Sequence, residues 1–240
     1  GRLTPGTHIP IVAPEELAKR KPDYTLLLTW NFADEILAQQ KAYRDAGGKF
    51  IVPIPKVKIV WAMRFSRTKL DGLWLIELEL REDERGFLAR TYCDEEFTAH
   101  GLNTHWPQCN LTLTKQRGML RGMHFQAEPK PEIKLIRCAA GAIFDVLVDV
   151  RRDSPTFGKW EGFELTAQNR RMLYVPGGFA HGFQCLTDHC EVFYQMSEVY
   201  VPDLARGLRF NDPKVGVSWP IASPTLSERD RNLPLLADLK

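Results

Sequence analysis

The chain has 240 residues, 44% hydrophobic and 26% charged, which is ordinary globular usage and excludes a disordered, collagen-like or disulfide-framework protein. Its 32 basic and 30 acidic residues leave a net charge of +2, too weak a field to steer it to nucleic acid or an anionic membrane. No run of about 18 apolar residues occurs, and the polar start Gly1-Arg2-Leu3-Thr4-Pro5 lacks a signal-peptide core, so a soluble, cytoplasmic protein is expected.

Residues 1–62 read as a small α/β segment. The apolar run Asp23 to Trp30 suits a buried strand with both faces covered. A helix should follow, capped by Asn31, carrying Phe32, Ile36, Gln40 and Tyr43 on one face and stopped at Gly47-Gly48. Lys49 to Pro53 then returns as a strand, completing one strand–helix–strand unit that is too small to enclose a core alone. The first residue is not methionine, and a processed, cloned or truncated piece of a longer chain is expected.

From about Trp61 the rhythm becomes alternation. Leu73 to Leu80, Leu135 to Ala139, Ile143 to Val150 and Glu191 to Met196 suit strands, separated by Gly, Pro and Asp turns. Only Cys93 to His100 reads as helix, so a sandwich or barrel is expected. The charged clusters Arg81 to Arg85 and Arg151 to Asp153 read as solvated turns. The five cysteines, Cys93, Cys109, Cys138, Cys185 and Cys190, are odd in number and form no CxxC pair, which fits buried free thiols in a reducing compartment.

Pro176-Gly177-Gly178-Phe179-Ala180-His181 has the spacing of the second cupin motif, in which a tight turn between strands aims a histidine into a barrel. Metal-binding members carry an upstream His-x-His, but this chain has His124-Phe125-Gln126, with only Glu128 or Glu132 near as oxygen donors, so no metal is expected. Arg121 and His124 are better read as facing a cavity together, with Lys134 on the next strand. Inversion beside a ketone needs a base for the α-proton, a cation for the enolate oxygen and an acid on the opposite face. Histidine, lysine and tyrosine fit these tasks. Taken singly, His124 reads better as an interior histidine and Lys134 as a surface strand residue.

Residues 63–240 resemble the dTDP-4-dehydrorhamnose 3,5-epimerases. The resemblance rests on Asp83 to Phe87, Leu120 to Gln126, Lys134 to Arg137, Phe144 to Val146 with Asp149, Ser154 to Gly158, Pro176 to Phe183 and Leu226 to Asp230, in order and at compatible spacing. It implies a mainly β, cupin-type jelly roll that acts as a homodimer, without metal or cofactor, on a dTDP-linked 4-keto-6-deoxyhexose in rhamnose biosynthesis. It further implies His124 as general base, Asp230 as its carboxylate partner, Lys134 beside the C4 carbonyl and Tyr194 as the acid of the opposite face. Arg85 and Arg121 fall on phosphate-contacting arginines, while Asn110, His181 and Tyr200 fall on other substrate-binding positions. Arg90 and Gln195 depart from the pattern, where members carry glutamate and lysine, but touch none of these proton-transfer groups. Members include single-carbon epimerases, so a single-site epimerase, a ketoisomerase or a non-catalytic nucleotide-sugar binding module are the rival readings.

The first 60 residues resemble something else, the C-terminal end of S-adenosylmethionine-dependent sugar C-methyltransferases, through Gly6 to Ile11, Leu27 to Glu35 and Gly47 to Pro53. That family's zinc-binding cysteine cluster and glycine-rich loop are absent from the sequence, so the segment cannot hold a methyl donor. A piece of a methyltransferase–epimerase fusion is expected.

Overall fold

Short apolar runs and glycine turns shape the first part of the chain. The structure, a computed structural model, describes residues 2–3, 10–29, 32–53, 58–60 and 63–239. Two compact units form, Gly1–Arg64 with Glu79–Arg90, and Phe65–Leu78 with Thr91–Lys240.

In the first unit β1 (Arg2–Leu3) pairs with β2 (Pro10–Ile11), and α1 (Glu15–Arg20) precedes β3 (Tyr24–Leu26). The helical stretch is not the single helix expected. It divides at Gln40 into α2 (Ala33–Gln39) and α3 (Lys41–Asp45). The break turns Tyr43 inward, where it is 1% exposed and its hydroxyl donates to Pro22 O at 2.8 Å. Phe32, the residue at the N-cap, stays 54% exposed, and the expected cap Asn31 lies outside the described residues. Gly47, at φ +90°, ends the helix as anticipated, and Gly48 has no Cβ to strike the Tyr43 ring. The return strand β4 (Lys49–Val52) lies parallel to β3 and antiparallel to β5 (Lys58–Val60). Leu27, Tyr43, Phe50 and Val52 form its small core. The strand expected over Asp23 to Trp30 is shorter and covered on one side only: Tyr24, Leu26 and Leu28 are each more than half exposed, because α2 and α3 follow on the Leu27 side.

After β6 (Arg64–Arg67) the strand expected from Leu73 to Leu80 is cut to β7 (Trp74–Glu77). The next residues, β8 (Leu80–Asp83) and β9 (Gly86–Ala89), make a hairpin whose turn holds Glu84 and Arg85. The Arg81 to Arg85 cluster is therefore part strand and part turn. Helix α4 (Asp94–Ala99) follows where expected, its three acidic residues placed at the positive end of the helix.

The second unit is a sandwich of two antiparallel sheets. Its long strands are β10 (Gln108–Thr114), β11 (Leu120–Gln126), β12 (Lys134–Ala140), β13 (Ala142–Asp149), β14 (Trp160–Thr166), β15 (Met172–Val175), β16 (Phe179–Cys185), β17 (Cys190–Met196) and β18 (Ala205–Gly207). One sheet runs β10-β17-β12-β15-β7-β6 and the other β14-β13-β16-β11-β18. Alternation along the strands turns Ile136, Ile143, Leu147, Leu165 and Leu173 inward, all 0% exposed. Each such side chain contributes about 1.5–3 kcal/mol by leaving water. Leu208, Val215 and Trp219 cover the outer face of the five-stranded sheet, where they meet Met123, Val146, Val148 and Ala180. Cys138, Cys185 and Cys190 are buried free thiols as expected, but Cys109 is exposed, because its position in β10 points away from the core. Among the described residues no helix is long and apolar enough to cross a membrane.

Candidate active site

The two sheets diverge at one end around a cavity of about 250 Å³. The five-stranded sheet supplies Arg121, His124 and Gln126 from β11 and His181 from β16; the six-stranded sheet supplies Asn110, Lys134 and Tyr194. Asp230 closes the site from α5 (Glu228–Arg231), a single turn capped by Ser227, whose hydroxyl accepts the Asp230 N–H.

His124 and His181 are direct partners across β11 and β16. Register is irregular between Arg121 and His124, where Gly122 (φ +113°) crosses so close to β16 that a Cβ would stand 2.7 Å from both Gly182 Cα and His181 O. His124 Nε2 lies 2.7 Å from Asp230 Oδ1, and Asp230 Oδ2 accepts the Gly122 N–H at 3.0 Å. Burial raises the Asp230 carboxyl, but the His124 hydrogen bond, the Gly122 N–H and the neighbouring charges of His124 and Arg229 outweigh it and hold it below the usual carboxylate range. An ionised Asp230 accepts from Nε2–H and leaves the lone pair on Nδ1, the tautomer a base requires.

His181 makes a second pair of the same kind: its Nε2 lies 2.7 Å from Oδ1 of Asp145, a wholly buried carboxylate whose Oδ2 has no hydrogen-bond partner among the described residues. Sequence reasoning placed His181 in the pocket through the Pro176 to His181 turn; in the structure that turn joins β15 to β16, and His181 lines the cavity. It missed Asp145 as the partner. The signal was there, since Asp145 shares the inward phase of Ile143 and Leu147 on β13.

Lys134 is no surface residue. Its side chain is 8% exposed, and its Nζ sits 2.6 Å from Glu132 Oε1 and 3.5 Å from the His124 carbonyl. Glu132, weighed in the sequence only as a metal oxygen donor, thus pairs with an ammonium. Tyr194 lies between Asn110 and Ile136 in register and packs on the core with its edge on the cavity. Arg121 donates through Nε to Thr114 Oγ1 at 2.8 Å, which fixes the guanidinium at the cavity edge, and Tyr200 lines the mouth, 46% exposed. Gln108, Thr112, Met196, Arg206 and Arg229 also line the cavity without having been singled out. Arg85 is not among these side chains. Its guanidinium, 83% exposed on the hairpin turn, binds Asp83 at 2.6 Å.

Comparison with known proteins accounts for this arrangement. Residues 67–238 match the family model described as dTDP-4-dehydrorhamnose 3,5-epimerase. The chain belongs to that family. The epimerase of Methanothermobacter thermautotrophicus is 44% identical over 172 residues, 70% of this chain and 92% of the relative. The crystal structure of the epimerase from Bacillus anthracis, with TDP and PPi bound, aligns with a TM-score of 0.71 at 42% identity over 72% of this chain and 99% of that one. A 3'-monoepimerase from Streptomyces bikiniensis in complex with dTDP-quinovose aligns at 0.67 and 35% identity, covering 71% and 86%. The sandwich is thus the cupin-type jelly roll of the family, and the chain is an isomerase of it. Residues 1–55 match the C-methyltransferase C-terminal domain, so this epimerase carries a methyltransferase-family segment in front.

Proposed function

We propose that the epimerase domain inverts C3 and C5 of dTDP-4-dehydro-6-deoxyglucose, giving dTDP-4-dehydro-L-rhamnose, by proton transfer through an enolate and with no cofactor. The observation that carries this reading is the placement of a carboxylate-held imidazole and a phenol on opposite sheets around one cavity. His124 Nδ1 takes the proton beside the C4 ketone, and Asp230 stabilises the imidazolium as it forms. Lys134 donates to the C4 oxygen where negative charge develops. Tyr194 returns a proton from the other face, a phenol being a donor at neutral pH. Arg121, Asn110, His181 and Tyr200 hold the substrate, with guanidinium suited to the diphosphate.

Oligomeric state belongs to the same reading. Leu111 and Leu113 on β10 are 60% and 48% exposed, and Phe87 and Leu88 on the hairpin are 49% and 64% exposed. A homodimer would cover such apolar surface. It would also offer Arg85 a nucleotide phosphate in another copy. Five free cysteines suit a reducing cytoplasm.

The test is proton NMR of dTDP-4-dehydro-6-deoxyglucose with the full chain in heavy water. Loss of both the C3 and C5 signals supports the 3,5-epimerase. Loss of one signal marks a single-site epimerase, the activity named for the Streptomyces bikiniensis relative. Binding of dTDP without any exchange favours a binding module.

A further inference from the structure

Glu132, in the segment leading into β12, and Lys134, the first residue of β12, both line the cavity. The pair is short, 2.6 Å, and both side chains are 8% exposed. The backbone between them is clamped: Ile133 N donates to Ser197 Oγ at 2.9 Å, and Ser197 N donates to Ile133 O at 3.0 Å. The strand entry therefore cannot slide, and the Glu132 carboxylate is a fixed point from which a long, flexible lysine stem is held. An ammonium has three donors. Glu132 Oε1 takes one and the His124 carbonyl, at 3.5 Å, lies near another, which leaves a donor for a ligand oxygen.

A buried charge without a partner is costly, and a misplaced one is of little use to a reaction. Among the described residues no acidic oxygen other than Glu132 pairs with Lys134: Asp230 is engaged by His124 and Gly122, and Asp145 by His181. We infer that Glu132 is the positioning residue of Lys134, fixing Nζ so that its remaining donor meets the carbonyl oxygen of a bound keto-sugar. This rests on the proposed epimerase function. Glu132 touches neither the reacting carbons nor the nucleotide in that arrangement, so it acts through Lys134 alone.

The experiment uses Glu132→Ala and Glu132→Gln in the full chain. Rates of C3 and C5 proton loss from dTDP-4-dehydro-6-deoxyglucose in heavy water give kcat and KM. For Glu132→Ala kcat should fall roughly 10²-fold while KM stays within about threefold, the pattern of a displaced group that acts in the transition state. Glu132→Gln keeps an acceptor oxygen in place and should recover about tenfold of that loss; it also serves if the alanine variant fails to fold. Unchanged kcat in both, or a loss confined to KM or to thermal stability, overturns the inference. A second readout needs no turnover: trace acetylation by acetic anhydride, read by mass spectrometry at Lys134 against exposed Lys115. Labelling at Lys134 should rise at least about tenfold in the variants once the ion pair is gone, and equal labelling overturns the inference. If the wild-type chain exchanges neither proton, the functional reading falls, and the acetylation result alone decides whether Glu132 holds Lys134.

Discussion

His124 and His181 stand opposite each other across β11 and β16, and each presents Nε2 to a carboxylate oxygen 2.7 Å away, Asp230 from α5 and Asp145 from β13. The two pairs differ in access. His124 has 40% of its side chain exposed and His181 only 11%, so His124 is the more accessible imidazole.

Asp230→Asn replaces an acceptor with an amide and removes the charge that stabilises the imidazolium. Exchange at C3 and C5, followed by proton NMR, should fall about 10²–10⁴-fold. Calorimetric affinity for dTDP should change less than about tenfold, because the proposed arrangement gives the nucleotide to arginine and not to Asp230.

Tyr194→Phe separates exchange from inversion. With the phenol gone, His124 can still remove a proton and return solvent deuterium to the same face. Deuterium should enter the unreacted substrate while formation of the epimer falls at least about 10²-fold, as measured by NMR of the sugar ring.

Asp149 gives a stability prediction with a sign. Burial raises its carboxyl, but hydrogen bonds from Arg151, Ser154 and Thr156 outweigh this and hold it below its ordinary value of 3.8. A lowered folded value means the stabilisation is complete above the unfolded value and vanishes as pH falls through the folded one. Asp149→Asn should cost about 3–5 kcal/mol in urea unfolding at pH 7, and the gap from wild type should narrow below about pH 4.

Gly122→Ala places a Cβ 2.7 Å from two backbone atoms of β16 at a φ of +113°. Strands β11 and β16 must part, at a cost of about 2–4 kcal/mol. Thermal unfolding should show the loss, and exchange activity should fall with it because His124 and His181 share that crossing.

The thiols divide by burial. Desolvation pushes Cys138 and Cys185 up to about 12, whereas Cys109 lies exposed on β10. A chromogenic disulfide reagent at pH 8 should label Cys109 in the native protein. Cys138 and Cys185 should react only after urea unfolding.

Much of the sandwich was legible because alternation and turn residues agree. Leu135 to Ala139 and Glu191 to Met196 fall on strands, Ile143 to Val150 overruns its strand by one residue, and Pro176 to Gly178 is the turn that aims His181 inward. His124, Lys134, Tyr194 and Asp230 came from the family resemblance, and the structure gathers them around one cavity. Taken alone, Lys134 reads as a surface strand residue because alternation says nothing about a partner; the resemblance put it at the cavity, and Glu132 supplies the partner. The helical break at Gln40 was invisible for a related reason: the four-residue spacing of Phe32, Ile36 and Gln40 records a helical face but not the pull of Tyr43 toward Pro22 O. Arg85, assigned to a phosphate by the resemblance, stands on the exposed turn of its hairpin, where its guanidinium binds Asp83.

The separation of 106 residues between His124 and Asp230 has a consequence during synthesis. A ribosome adding about 5–20 residues per second releases the imidazole roughly 5–20 s before its carboxylate exists. The strands from β11 to β18 can pair in that interval, but the His124–Asp230 pair cannot yet form. Translation arrested after β18 leaves His124 without the carboxylate that α5 brings to its Nε2.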